Sequence, residues 1–149
     1  MTQKRQRQYE LGLMDTARFK YHNVNPKGLI TSDCSTRALA LALGIPYNEV
    51  LKWQCDEAIA MCVGLTDVAL VSDILVSSGF EKVALKAVAK GRKRLNAGDA
   101  ARMYTEGNDT VLVMQLAGHF TVAKDGKVHD VWNCEKKTVY QMWVSKRGK

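Results

Sequence analysis

Between residues 34 and 79 apolar side chains recur at helical spacing, and from residue 81 onward they fall in short runs rich in Val, Thr and aromatics, so the chain reads as helices followed by strands. Ser32 and Asp33 are N-cap types ahead of Cys34, Ala38, Leu39, Leu41 and Ala42, and Gly44 supplies a stop before Ile45 and Pro46. This predicts a short, largely buried helix. Asn48 is placed to cap a second helix, with Val50, Leu51, Trp53, Ala58 and Met61 in its apolar set and an end near Gly64. Thr66 is placed to cap a third, through Val68, Leu70, Val71, Ile74 and Leu75, which Gly79 closes in a left-handed conformation.

Glu81 to Ala87 is expected as a strand, the run Lys90, Arg92, Lys93, Arg94 as a solvated loop, and Asn96 or Asp99 to Tyr104 as a short helix closed by Gly107 and Asn108. Thr110 to Leu116, His119 to Lys124, Lys127 to Trp132 and Thr138 to Val144 are strand-like, with Asp125-Gly126 as a hairpin turn. Before Asn25 the pattern is weak. Phe19 and Tyr21 alternate with Arg18, Lys20 and His22, which fits an edge strand or an extended arm. The expected fold is α+β, with N-terminal helices covering one face of an antiparallel sheet or meander. With no internal repeat and no linker, one domain is expected over 1–149. Its basic arm or edge strand is 1–24, its helical part 32–79 and its mainly β part 81–145.

Composition narrows the class. The 149 residues are 46% hydrophobic and 25% charged with two prolines, which excludes a disordered, collagenous or disulfide-held mini-protein. A chain this long buries about 68 to 70% of its unfolded surface, so it needs no staples. The opening residues carry no secretory or lipidation signal, and no apolar run approaches the roughly 20 residues that span a bilayer. The expectation is a cytoplasmic protein with no membrane partner, whose Cys34, Cys55, Cys62 and Cys134 are free thiols. Lys plus Arg number 22 against 15 Asp plus Glu, giving +7 and a pI near 9.3. That charge favours an anionic partner. Lys4, Arg5 and Arg7, the 90–94 loop, and Lys146, Arg147 and Lys149 suit non-specific nucleic-acid contact or a solvated surface equally well, and no nucleic-acid-binding motif accompanies them.

One constellation carries chemistry. Cys34 falls in the first turn of a helix, where the macrodipole and free N–H groups favour thiolate over thiol. A cysteine nucleophile also needs a base and a group to orient it. If Asp125-Gly126 is a two-residue turn, Lys124 pairs with Lys127, residue 121 faces 130 and residue 119 faces 132. His119 and Asp130 then share a face as diagonal neighbours, whereas His129 points to the other face. Asn133 is the rival orienter, on the opposite face unless a bulge intervenes. A zinc site is disfavoured because Cys55 and Cys62 are seven apart and no Cys-x-x-Cys or His-x-x-x-His pair exists, so no metal is expected. Cys55 and Cys62 are expected in the core, and Trp53, Trp132 and Trp143 as core or site-wall aromatics.

The segment Asp33-Cys34-Ser35-Thr36-Arg37-Ala38-Leu39-Ala40, with Gly44-Ile45-Pro46-Tyr47 behind it, resembles the nucleophile helix of papain-like cysteine peptidases, particularly families common in phages and bacteria. Gly118-His119-Phe120-Thr121-Val122, the Asp125-Gly126 turn and Asp130-Val131-Trp132 are similar to the histidine strand and the strand after it. The resemblance spans roughly Ser32 to Val144. It implies a papain-like fold and a thiol hydrolase of peptide, isopeptide or amide bonds. In it Cys34 attacks a carbonyl, His119 protonates the leaving group, Asp130 holds the imidazole and Trp132 shields the pair. Peptidase, deamidase and acyl transferase share this triad, and no cofactor is implied. A phage origin would place the protein in a host cytoplasm with a peptide or protein substrate. One position departs from the pattern. Such enzymes commonly carry a Gln about six residues before the Cys as an oxyanion donor, and here Gly28 stands there. The Cys34 N–H remains, with a side chain from Asn25, Thr31 or Ser32 as its candidate partner. The rival expectation is a catalytically inactive papain-like protein that binds a host protein or nucleic acid through its basic surface.

Overall fold

The computed structural model describes residues 15–85 and 93–145. Lys4, Arg5, Arg7, Lys90, Arg92, Lys146, Arg147 and Lys149, and the end of the strand expected at Glu81 to Ala87, lie outside the described residues. In chain order the elements are β1 (Phe19–Tyr21), α1 (Cys34–Leu43), α2 (Tyr47–Met61), α3 (Val68–Ser77), β2 (Phe80–Val83), α4 (Ala97–Thr105), β3 (Leu112–Leu116), β4 (His119–Lys124), β5 (Lys127–Asp130) and β6 (Gln141–Ser145). The fold is α+β.

The strands form one sheet in the order β1-β5-β4-β3-β6-β2. Every neighbouring pair is antiparallel except β1 with β5, so the sheet is mixed rather than the expected antiparallel meander. β1 takes the far edge before the chain turns into α1, and only a parallel strand brings its end to the same side as Asp130. His22 N–H donates to the Asp130 carbonyl there (2.9 Å), so the loop that leads to Cys34 starts beside β5.

Helices also cover both faces of the sheet, where one face was expected. Leu39, Leu70, Ile74 and Leu75 pack with Val113, Phe120, Val122 and Trp143 on one side. Ala97, Ala100 and Ala101 of α4 pack with Leu112, Met114, Leu116, Ala123 and Met142 on the other. The unbroken apolar run from Val111 to Met114 is the sequence trace of a strand buried on both sides. The turn chemistry at Asp125-Gly126 holds. Both residues have positive φ (52° and 75°), and Lys124 pairs with Lys127 and Val122 with His129.

Helix ends shift by a residue or two. Asp67, not Thr66, caps α3 through its carboxylate and the Ala69 N–H (2.9 Å), and α2, expected to end near Gly64, ends at Met61 with Cys62 in a left-handed conformation (φ 58°). Cys55 and Cys62 are exposed, not core, because α2 turns its Val50 and Gln54 face inward and those two thiols outward.

At the β1 edge the Nδ1 atoms of His22 and His129 are 3.2 Å apart. Burial holds both imidazoles below their ordinary pKa of 6.5, assisted by the charges of Lys124 and Lys20 at His22 and of His22 and Lys124 at His129. A base depressed in the folded state contributes stability above its unfolded pKa and loses it as pH falls. The melting temperature is therefore expected to fall between pH 7 and 5.5, and His22→Phe to flatten that slope. Equal slopes in the two proteins would contradict this account.

Candidate active site

Cys34 opens α1 and is partly buried, with its side chain on the wall of a cleft of about 390 Å³. Thr31, Ser32, Gln115, His119 and Trp132 line the same cleft. Asp33 is an N-cap residue by type and position, yet its side chain does not cap the helix. Its carboxylate is taken elsewhere. Oδ1 accepts from Arg37 Nε (2.7 Å), and Oδ2 accepts from the Tyr47 hydroxyl (2.8 Å) and Asn25 Nδ2 (3.0 Å). The first-turn N–H groups of α1 therefore take no side-chain acceptor, and they provide donors for developing negative charge.

His119 and Asp130 meet as the hairpin register requires. His119 Nε2 lies 2.6 Å from Asp130 Oδ2, which leaves Nδ1 for the Cys34 thiol. Burial lowers the imidazole's pKa, but hydrogen bonds to Asp130, Cys134 and Cys34 and the charge of Asp130 push it up to about 11. Burial likewise raises the Cys34 thiol's pKa, and hydrogen bonds from His119 and the Phe120 N–H, with the charges of His119 and Arg37, more than reverse that. The surroundings thus shift Cys34 toward the thiolate and His119 toward the imidazolium. Burial would also raise the Asp130 carboxyl, but the bond to His119 and its charge hold it below the usual carboxylate range.

Trp132 stands over the pair, its ring 5.0 Å from the His119 ring at 52°. Asn133 is not an orienter. Its amide donates to Glu135 and its oxygen accepts the Glu135 N–H, and it does not line the cleft. Asn25 does not line the cleft either; its Nδ2 donates to Asp33 and its Oδ1 accepts from the Lys27 and Leu29 N–H groups.

Three participants escaped the sequence reading. Arg37 is one turn beyond Cys34 and bridges two carboxylates, donating to Asp33 and, through Nη1, to Asp130 Oδ1 (2.9 Å). With Tyr47 this makes a chain of hydrogen bonds, Tyr47–Asp33–Arg37–Asp130–His119, in which Asp33, Arg37 and Asp130 are buried. The i,i+4 spacing of Asp33 and Arg37 is its only local signal. The second is Cys134, fully buried, whose Sγ lies 3.7 Å from Asp130 Oδ2. Burial raises its pKa, so it stays a thiol and donates. The third is Gln115, which comes from β3.

His119, Asp130 and Cys134 are also, among the described residues, a group whose donor atoms lie within 4.8 Å of one another, close enough in principle to hold a metal. The arrangement suits a proton better than a cation. The Arg37 guanidinium already neutralises one oxygen of Asp130, and the other is hydrogen-bonded to an imidazole that favours its protonated form.

No helix of the described residues is long and apolar enough to cross a membrane. In comparisons with known proteins, no family model matches the chain, and no curated protein or solved structure does either.

Proposed function

We propose that this chain is a papain-like thiol hydrolase acting on a peptide, isopeptide or amide bond, with Cys34 as nucleophile, His119 as acid and base, and Asp130 as the residue that orients His119. The observation that carries the reading is the His119 imidazole, bound through Nε2 to a buried carboxylate and interacting on its other side with a cysteine at a helix N-terminus. In the reaction, Cys34 sulfur bonds to the carbonyl carbon, and the His119 imidazolium gives its proton to the nitrogen as the C–N bond breaks. The amine departs and a thioester remains. Water, deprotonated by the now neutral His119, then cleaves the thioester and releases the acid. Replacing water by an amine gives acyl transfer, and a side-chain carboxamide as substrate gives deamidation.

The test is alkylation by iodoacetamide at pH 7, mapped by peptide mass. An ordinary thiol is only a few per cent ionised at that pH. Cys34 should react about tenfold or more faster than Cys55 and Cys62 although those two are more exposed, and His119→Ala should remove the advantage. Labelling of Cys34 no faster than that of Cys55 would refute the reading and favour the inactive, partner-binding alternative.

A further inference from the structure

Any attack of a thiolate on a carbonyl puts negative charge on the carbonyl oxygen, and the site must hold donors where that charge develops. The uncapped first turn of α1 offers backbone N–H groups on the Cys34 side. The residues before Cys34 that line the cleft supply no side-chain amide to join them, since Asn25 does not line it and holds Asp33 and its own loop instead. The opposite wall of the cleft comes from the sheet.

We propose that Gln115 is a catalytic residue whose side-chain N–H₂ stabilises the oxyanion formed when Cys34 attacks, a role that rests on the thiol-hydrolase reading. Three observations carry it. Gln115 pairs directly with Phe120, the residue after His119, so its side chain is held one strand spacing from the segment that carries the imidazole. Cross-strand partners share a face, and Phe120 packs with the α1 residues Ala38 to Leu41, so Gln115 projects toward α1 and lines the cleft with Cys34. Its amide is also oriented. Gln141, its partner on β6, donates Nε2 to Gln115 Oε1 (2.9 Å), which occupies the oxygen and leaves the N–H₂ for another acceptor. A glutamine locked this way is a donor fixed before substrate arrives, which is what makes such a group effective.

Two probes separate this role from nucleophile activation. Iodoacetamide alkylates sulfur by displacing iodide and passes through no oxyanion. p-Nitrophenyl acetate does pass through one: the Cys34–carbonyl bond forms, the ester C–O bond breaks, p-nitrophenolate leaves with the electron pair, and Cys34 carries an acetyl thioester. Gln115→Met keeps the length and removes the donor. It should slow Cys34 acetylation about 10²-fold or more, the usual cost of losing one such donor, while the alkylation rate stays within about twofold. Gln141→Met, which leaves Gln115 in place but unoriented, should slow acetylation several-fold and not alkylation, and it carries the test if Gln115→Met does not fold. Acetylation unchanged in the folded Gln115→Met protein, or in Gln141→Met where that variant carries the test, would overturn the proposal, as would equal losses with both probes. Failure of the underlying reading shows separately, in the unsubstituted protein, as Cys34 alkylation that is slow or independent of His119.

Discussion

Arg37→Met is expected to lower the melting temperature by roughly 6 to 20 °C at pH 7, the equivalent of about 3–5 kcal/mol for removing one partner of a buried ion pair in a protein of this size. The guanidinium bridges Asp33 and Asp130, whose side chains are 8% and 1% exposed, so its loss leaves buried Asp33 without a counter-charge and Asp130 with the His119 imidazolium alone. Met fills much of the same volume, so a cavity adds little. The pH dependence identifies the cause. Both carboxyls are held below the usual range of 3.8 in the folded protein, so the stability they contribute is present above that pH and is lost as pH falls through their folded values. Without Arg37 they take up protons at higher pH, and a neutral carboxyl needs no partner. The deficit of the variant should therefore be largest near pH 7 and shrink on acidification toward pH 4. A melting temperature within two or three degrees of the unsubstituted protein at pH 7 would show that the bridge contributes no net stability. Arg37→Lys should fall between the two, because a single ammonium cannot span both carboxylates in the manner of a planar guanidinium.

Where the sequence reading succeeded, a short-range rule was sufficient. The Asp125-Gly126 turn fixes the register of β4 and β5, and the register alone places His119 and Asp130 on one face. The Gly44 stop and the apolar spacing from Ala38 to Leu41 set α1, and with it Cys34 at the first turn. Where it failed, a competing contact, a remote partner or an ambiguous helix face decided. Asp33 looks like a cap, but a guanidinium four residues on and a tyrosine at 47 compete for its carboxylate and win, because two charge-assisted or hydroxyl bonds outweigh one bond to a backbone N–H. Cys134 and Gln115 carry no local pattern that marks them, and they join the site only through the hairpin and the β3–β4 pairing. The outward turn of Cys55 and Cys62 reflects an ambiguity of α2 itself, whose apolar residues are spread widely enough to permit more than one buried face. Parallel pairing of β1 was out of reach because three residues separated from their partner by a hundred positions specify no direction. The +7 charge has no counterpart in the cleft, where the cationic side chains are Arg37, already paired to two carboxylates, and the His119 imidazolium, paired to one.

Asp130→Asn should slow acetylation of Cys34 by p-nitrophenyl acetate by on the order of 10⁴-fold, the scale on which a mis-oriented, uncharged partner disables a catalytic imidazole. The carboxylate does two things. Its Oδ2 accepts from His119 Nε2 at 2.6 Å and thereby fixes the ring with Nδ1 toward the thiol, and its charge is among the causes that push the imidazole up to about 11. Asn keeps the shape but presents an amide that can donate as well as accept, so the ring loses both its fixed tautomer and its stabilised proton. The sign of the coupled shift follows. With less imidazolium beside it, the Cys34 thiol loses one of the influences that offset its burial, and its pKa must rise. Alkylation of Cys34 by iodoacetamide as a function of pH reads that shift directly. The midpoint of the rate curve is expected below the ordinary thiol value in the unsubstituted protein and higher in Asp130→Asn, with the two curves converging at high pH where any thiol is ionised. Arg37 remains paired with Asp33 in the variant, so the loss is not a second unpaired charge. If the midpoint does not move, Asp130 does not govern the thiolate–imidazolium pair, and its bond to His119 serves only the packing of β4 against β5.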